Sequence, residues 1–399
     1  MSHKTSGTLP LPWTSSGSRS AKRVAMDHTL LAVTIVLTLV GLVMVFSAST
    51  VVAGSRFHDA GYFLKRQIAW LAIGLLLMHV VSRLDYVWWK RLAVPLLGLT
   101  AVLLAMVLIP SIGVVAKGAR RWLQAGPIMV QPAEMAKLTL VIYLAAYLAR
   151  KEDRITGFFA GLVPALVVFG GLGGLVLLER DLGTVVVMGL TVMGLFFLAG
   201  AKLSHLLLLG MGGIAAVAAL VLQSGFRLQR VLVFLAPWKD PTNTGFQITQ
   251  SFLAFGHGGL FGVGLGEGKQ KLFFLPEAHT DFVLALVGEE LGLIGTGLII
   301  TLFALFVVRG FQISVRARMP FGRYLGMGIT LLIGVQVLIN ACVVTGLLPT
   351  KGLTLPFVSY GGSSLVTCMT GVGILLNISR DRQAGREDTG RRRGGSKRR

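Results

Sequence analysis

The sequence predicts an all-α polytopic membrane protein with ten transmembrane helices, and three observations lead there. Hydrophobic residues make up 54% of the 399-residue chain and charged ones only 14%. Mean hydropathy is +0.74, and a soluble protein of this length has no interior large enough to hide so much apolar surface. Runs long enough to cross about 30 Å of hydrocarbon recur along almost the whole chain. They cover roughly residues 28–50, 67–82, 92–110, 133–149, 156–178, 182–200, 203–222, 282–308, 322–346 and 358–378.

The formal net charge of +21 raises nucleic acid as a partner, but the placement of the charges argues against it. Ten spans put both termini on one side of the membrane. On that side fall 24 of the 38 Lys and Arg residues, while 13 fall on the other and Lys137 lies within a span. The positive-inside rule then places both termini in the cytoplasm. Residues 380–399 form a basic cytoplasmic tail with nine Lys/Arg, which reads as a topology anchor and a patch for anionic lipid. Residues 1–27 read as a disordered cytoplasmic tail, rich in Ser, Thr, Gly and Pro. They do not read as a signal peptide, because the first apolar run starts late and is too long for an h-region. Cys342 and Cys368 both lie in apolar spans, and the seven histidines show no metal-ligand spacing. Neither a disulfide nor a metal cluster is predicted. No internal repeat of the transporter kind is visible.

One connection is long: residues 223–281, on the extracytoplasmic side between spans seven and eight. A loop of that length in a compact membrane protein points to function. Arg227 and Arg230 stand three apart, before an apolar stretch that ends in Pro237-Trp238. Phe246–Phe255 repeats apolar residues at helical spacing, as an amphipathic helix would, either at the interface or packed on other loops. The run Gly256–Gly268 lacks the G-x-G-x-x-G spacing and the βαβ context of a dinucleotide loop. It reads as flexible or closely packed backbone. Lys269 and Lys271 follow at once and offer cationic contacts to an anionic head group.

The loop closes on Leu275-Pro-Glu277-Ala-His279-Thr-Asp281, with Asp281 expected in the first turn of span eight. Asp281 has two readings. It is a capping or dipole-stabilising carboxylate, or a general base facing the outer leaflet with Glu277 and His279 as tuners. A helix N-terminus lowers a carboxylate pKa and burial raises it, and the sequence leaves the balance open. Glu289 and Glu290 lie about 12–14 Å deeper on a helix and read as buried pairing partners for a neighbouring helix. Lys117, Arg120 and Arg121 stand on the side where positive charge is disfavoured, which suggests a bound anion. Glu179-Arg180-Asp181 reads as an outer ion-pair network, and Glu134 with Lys137, behind Pro132, as an interfacial pair.

Between the last two spans lie Pro349, Lys351, Pro356 and Ser359-Tyr-Gly-Gly-Ser-Ser364. Irregular backbone beside hydrocarbon leaves amides and carbonyls unpaired, and is tolerated only where protein buries it or a wet cavity meets it. This segment is therefore expected to line the working site, with backbone donors around Ser359, Gly361 and Gly362.

Taken together, these motifs resemble the FtsW/RodA/SpoVE family, the SEDS proteins of shape, elongation, division and sporulation. The resemblance rests on Asn340, Gly346-Leu-Leu-Pro-Thr-Lys-Gly352 and Phe357-Val-Ser-Tyr-Gly-Gly-Ser-Ser364. It rests also on Pro276-Glu-Ala-His-Thr-Asp-Phe282, Gly288-Glu-Glu-Leu-Gly292, Gly118-Ala-Arg-Arg-Trp122, Gln131-Pro-Ala-Glu134 and Asp181-Leu-Gly-Thr184. It covers about residues 28–380. Pro237-Trp-Lys-Asp-Pro241, Gly264-Leu-Gly266 and Gln270-Lys-Leu272 make the chain most similar to the cell-division branch, FtsW. Arg180 departs from the proline that many relatives carry before Asp-Leu-Gly.

The resemblance implies a peptidoglycan glycosyltransferase in the bacterial inner membrane, enriched at the division septum. It would polymerise lipid II into a nascent β-1,4 glycan and work with a class B penicillin-binding protein and other divisome membrane proteins. Asp281 takes the place of the family's essential aspartate, Arg121 of its outer arginine and Lys351 of its lysine before the serine-glycine motif. Arg120, Arg121 and Lys351 would meet the departing pyrophosphate. A divalent cation, magnesium or manganese, could share that neutralisation, although no metal motif is visible. Two other functions compete. A lipid II flippase needs the same cavity but no aspartate base, and a scaffold for the transpeptidase would tolerate loss of Asp281.

Overall fold

The computed structural model describes residues 26–395 apart from 117, 127 and 273. Residues 1–25 of the expected N-terminal tail and Lys117 thus lie outside the described residues. Among the described residues there are twelve α-helices: α1 His28–Phe57, α2 Tyr62–Arg83, α3 Val87–Leu108, α4 Pro132–Leu148, α5 Val163–Leu178, α6 Leu182–Leu198, α7 Leu203–Leu222, α8 Gly225–Leu235, α9 Phe246–Gly258, α10 Val283–Val315, α11 Pro320–Val344 and α12 Gly362–Gly395. Eight helices are long and apolar enough to cross a membrane. Two more of the expected spans, α4 and α6, are helices of 17 residues each. The protein is a multi-pass, essentially all-α bundle.

Local signals set the helix starts. Asp27 caps α1 by accepting from the Leu30 amide at 2.9 Å, and Asp181 caps α6 through the Thr184 amide at 3.1 Å. Pro132 and Pro320 occupy the first turns of α4 and α11, where a missing N–H costs nothing. The centre of the bundle is α4, α11 and α12: the apolar windows of α11 and α12 are 67% and 72% buried, against 6% for α7. Helices α10 and α11 cross closely because Gly310 and Gly326 face Thr330 and Ser314. Those hydroxyls are satisfied within their own helices, on Gly326 O and Gly310 O, as small-residue packing in hydrocarbon favours.

One feature departs from the sequence reading. Residues 113–130 form a small antiparallel sheet, β1 Gly113–Ala116, β2 Ala119–Ala125 and β3 Ile128–Val130, where only a connection was expected. Its strands are short and lie between spans, so no long apolar alternation announces them. The long loop 223–281, in turn, holds α8 and α9. Helix α9 packs on α10 and α11, burying Ile248, Ser251 and Ala254, with the Ser251 hydroxyl donating to Val344 O at 2.7 Å. Of its two expected settings, it takes the packed one.

Helix α10 is broken. Gly292 has φ 66° and ψ −165°, a region closed to side chains. A Cβ there would also strike the Gly262 amide nitrogen and the Leu260 carbonyl. Gly292→Ala is expected to destabilise the protein by about 2 kcal/mol or more, read as a lower midpoint in a thermal unfolding scan of purified protein. An unchanged midpoint would contradict this account of the break.

Candidate active site

Four connections, α3–α4, α5–α6, α7–α10 and α11–α12, meet the end of α1 and the start of α2 around a cavity of about 2600 Å³. That exceeds the few hundred to a thousand Å³ usual for a small-ligand pocket. The deep part is walled by apolar and glycine residues of α5, α6 and α7, among them Phe169, Gly173, Gly189 and Leu209. The mouth is polar. Asp281, Glu277, His279, Arg121, Lys351, Gly361 and Gly362 all line it, so the structure brings these seven residues together.

Asp281 does not sit inside helix α10. Phe282 is the N-cap residue and no side chain caps this helix, so Asp281 lies one position before it. Its carbonyl accepts from Asn340 Nδ2 at 2.9 Å. A Cβ on Gly352 would lie 2.8 Å from Asp281 Oδ2, so the carboxylate rests against bare backbone. The turn that presents it depends on Glu277, a non-glycine residue at φ 59°. The Glu277 carbonyl accepts from the amides of Thr280, Asp281 and Phe282, and its carboxylate accepts from the Thr280 hydroxyl at 2.9 Å. His279 packs between Phe63 and Tyr360, with centroids 4.8 and 5.8 Å away, and its carbonyl takes the Tyr360 amide at 2.9 Å.

Arg121 reaches the cavity through a β-bulge. Trp122 pairs with Val114 and Arg120 with Val115, which leaves Arg121 as the extra residue, and such a bulge re-aims a side chain. Its guanidinium donates to the carbonyls of Glu179 at 3.2 Å and Arg180 at 2.7 Å. Arg120 corrects the sequence expectation. It turns away and reaches Leu108 O at 3.4 Å, and it does not line the cavity.

Three other expected contacts are also corrected. Lys271 is buried in an ion pair with Glu290 at 3.0 Å, so its charge is already matched. Lys269 is exposed outside the cavity and uses its backbone amide on Glu289. Ser359 is buried, its hydroxyl accepting from the Leu355 amide at 2.8 Å, and it shapes the turn without facing the cavity. The Glu179–Asp181 segment is likewise no plain ion-pair network. Asp181 serves as a cap, and both carboxylate oxygens of Glu179 are buried with no hydrogen-bond partner.

Two residues join the site that the sequence reading left in an amphipathic stretch. Arg227 and Arg230, on α8, both line the cavity. Arg230 donates to Thr350 O at 3.0 Å. Burial, and then Arg121, pull the Arg230 guanidinium below its ordinary pKa, while Asp281 opposes them. Lys351 is also lowered, first by burial; Asp181 holds it up, and Arg227 and Arg230 push it down. Arg121, Arg227, Arg230 and Lys351 therefore crowd one mouth, with Arg56, Arg66 and Arg180 also on the cavity lining, in repulsion that an anion would relieve. For Arg227 and Arg230, the i, i+3 spacing on α8 was the available signal. Among the described residues, no three His, Cys, Asp or Glu side chains come together as a metal would need.

Fold and site together define a multi-pass membrane protein with an apolar cavity whose mouth holds clustered cations and carboxylates, Asp281 among them. The chain belongs to the FtsW/RodA/SpoVE family: the family model described as "Cell cycle protein" matches residues 27–384. It is 48% identical over 353 residues to the probable peptidoglycan glycosyltransferase FtsW of Geobacter sulfurreducens, covering 88% of this chain and 95% of that one. Stage V sporulation protein E of Bacillus subtilis is 43% identical over 361 residues, 90% and 99% of the two chains. The rod shape determining protein RodA of Thermus thermophilus superposes with a TM-score of 0.68 at 31% identity, over 90% of this chain and 98% of that one. A chain from a peptidoglycan synthase complex that coordinates polymerization and crosslinking gives 0.74 at 32% identity, over 90% and 99%.

Burial, and then Asp181, push the Glu179 carboxyl up to about 8, with Arg121 opposing. A carboxyl raised on folding costs stability as pH climbs from its ordinary 4.5 towards that value, because the unfolded chain ionises first. Glu179→Gln is therefore expected to raise the unfolding midpoint at pH 8 and to leave it unchanged at pH 4. A midpoint gain independent of pH would show that Glu179 is not held neutral.

Proposed function

We propose that this chain is a peptidoglycan glycosyltransferase that polymerises lipid II into β-1,4 glycan strands at the outer leaflet during septal wall synthesis. The convergence of Arg121, Arg227, Arg230 and Lys351 beside Asp281, above an apolar cavity, carries the reading. A lipid-linked saccharide needs both parts: cations for its diphosphate and apolar walls for its polyprenyl tail. In this reading all ten long apolar helices cross the inner membrane, α4 and α6 included, with both termini cytoplasmic and the site outside. The basic tail meets anionic lipid. A class B penicillin-binding protein and other divisome membrane proteins are the partners, as the likeness to a chain of a peptidoglycan synthase complex supports.

The chemistry is a single displacement. The acceptor sugar's 4-hydroxyl oxygen bonds to the anomeric carbon of the donor as the bond from that carbon to the diphosphate breaks. Configuration inverts from α to β. Asp281 takes the hydroxyl proton, and undecaprenyl pyrophosphate leaves with its new charge met by Arg121, Arg227, Arg230 and Lys351. Cations already fixed where charge develops need no reorganisation during the reaction. His279 and Glu277 hold the turn that aims Asp281, and the backbone at Gly361 and Gly362 lines the same mouth. No step is routed through a divalent ion.

The test uses purified protein with a partner whose transpeptidase site is dead, lipid II in detergent, and products resolved by gel. Wild type is expected to give glycan ladders, and Asp281→Ala and Asp281→Asn at least 100-fold less product at equal folding and partner binding. Ladders from all three would remove Asp281 as the base. No ladders from any, with lipid intact and partner bound, would favour transport or scaffolding.

A further inference from the structure

Glu289, Glu290 and Lys271 are buried ionisable groups that the proposed chemistry does not use. They meet at the break in α10. The Glu290 carboxylate accepts from Lys271 Nζ at 3.0 Å, from the Ser47 hydroxyl of α1 at 2.6 and 2.8 Å, and from the Gly266 amide at 3.1 Å. Lys271 Nζ also donates to Ser47 Oγ at 3.1 Å and to Gly266 O. Beside it, Glu289 Oε1 accepts from the Lys269 amide at 2.9 Å, and Glu289 Oε2 from the Gln270 amide at 3.2 Å.

Backbone pairing completes the junction. The break at Gly292 frees carbonyls before it and amides after it, and residues 259–264 take up both. Val263 and Gly264 donate to Glu289 O and Glu290 O at 3.0 and 3.1 Å, while Leu293 and Ile294 donate to Gly259 O and Leu260 O at 2.9 and 3.2 Å. The glycine-rich run is thus neither loose nor a phosphate loop. Side chains at Gly258 and Gly262 would strike the carbonyls of Gly288 and Glu290.

This junction has a consequence for Asp281. The bonds from Glu289 to residue 269 and from Glu290 to residue 271 close loops of 20 and 19 residues. Asp281 sits near the middle of both. From there the chain runs straight into the fully buried stretch Val283–Glu290, whose far end is the clasp itself. We propose that Glu290 and Lys271, with Glu289 and Ser47, form a clasp that positions Asp281 by closing the catalytic loop at its base. The inference rests on Asp281 acting as the base. The four are positioning residues, since none lines the cavity. Loop closure removes conformational freedom that would otherwise be lost at each turnover, and small misplacement of a reacting group is costly in rate.

Removing one charge alone would strand the other in the interior, so the test uses the neutral pair Glu290→Gln with Lys271→Met, and separately Ser47→Ala. Two quantities are read on folded, partner-bound protein: kcat and KM for lipid II polymerisation, and deuterium exchange across residues 274–282. The double variant is expected to lose about tenfold or more in kcat, with KM within about twofold, and to exchange faster across 274–282 but not across α11. Ser47→Ala should show the same pattern, less strongly, and it carries the comparison should the double variant fail to fold. Unchanged exchange would overturn the clasp. Faster exchange with unchanged kcat would overturn its link to Asp281, and a rise in KM alone would place Lys271 on the substrate instead. Failure of the base assignment shows separately, as ladders made by Asp281→Asn.

Discussion

One side-chain amide holds the two irregular halves of this site together. Asn340 Nδ2 donates to Asp281 O at 2.9 Å and to Leu353 O at 2.7 Å. One turn earlier on the same face of α11, Gln336 donates to Thr354 O at 2.9 Å and accepts from Lys137 at 2.7 Å. The chain before α10 and the chain before α12 both leave helical geometry deep in the molecule, where an unpaired carbonyl costs several kcal/mol (about 2–7 by transfer data). Hydrogen bonds in so dry a setting are correspondingly strong. Because α11 is among the most buried helices, its two amides fix the Asp281 turn and the lysine segment in one frame.

That frame lets the electrostatics remain unresolved until a ligand arrives. Arg230 and Lys351 are each lowered by burial and by neighbouring cations, which is an unfavourable arrangement for the charges themselves. The Glu179 carboxyl, whose own carbonyl Arg121 holds, adds little to quench it, because burial pushes it up to about 8, which favours its neutral form at pH 7. Arg121 therefore rests on the carbonyls of Glu179 and Arg180, contacts weaker than a salt bridge. A diphosphate can displace or share them. Had Glu179 been ionised, the arginine would be paired and the site less cationic.

The apolar runs made the bundle legible, since hydrocarbon leaves few ways to satisfy a backbone. Proline, lysine and the Ser-Tyr-Gly-Gly-Ser-Ser stretch also marked the lining segment correctly, because polar irregularity at that depth has few explanations. Side-chain direction was not legible. Arg120 and Arg121 are adjacent and chemically identical, and only a bulge in a sheet too short to read from pattern sends one to the cavity. Lys271 looked like a free cation because its partners Glu290 and Ser47 are 19 and 224 residues away. Gly292 sat inside the expected span 282–308, two residues after Glu290, and a single glycine there does not announce a break in α10. Its cause lay in the glycines of residues 258–264, whose close packing on α10 no local pattern displays.

The same backbone logic explains why the cavity mouth is built from glycine. A side chain at Gly362 would meet the Trp70 ring, one at Gly361 the Thr354 methyl at 3.3 Å, and one at Gly352 the Asp281 carboxylate at 2.8 Å. The wall facing a ligand there is main chain, including the start of α12, whose first amides have no partner within the helix. Amides held this way carry no side-chain entropy to lose on binding, and they add to the field of the four cations without adding repulsion between them. Charge developing on a leaving diphosphate would thus meet fixed dipoles on one side and fixed cations on the other. Both are held by α11 and by the closed loop that ends at Glu290. The broken helix, the bulge and the bare glycine wall serve one requirement: polar groups must be aimed at a single point inside an apolar bundle, and only irregular backbone that is fully satisfied elsewhere can aim them.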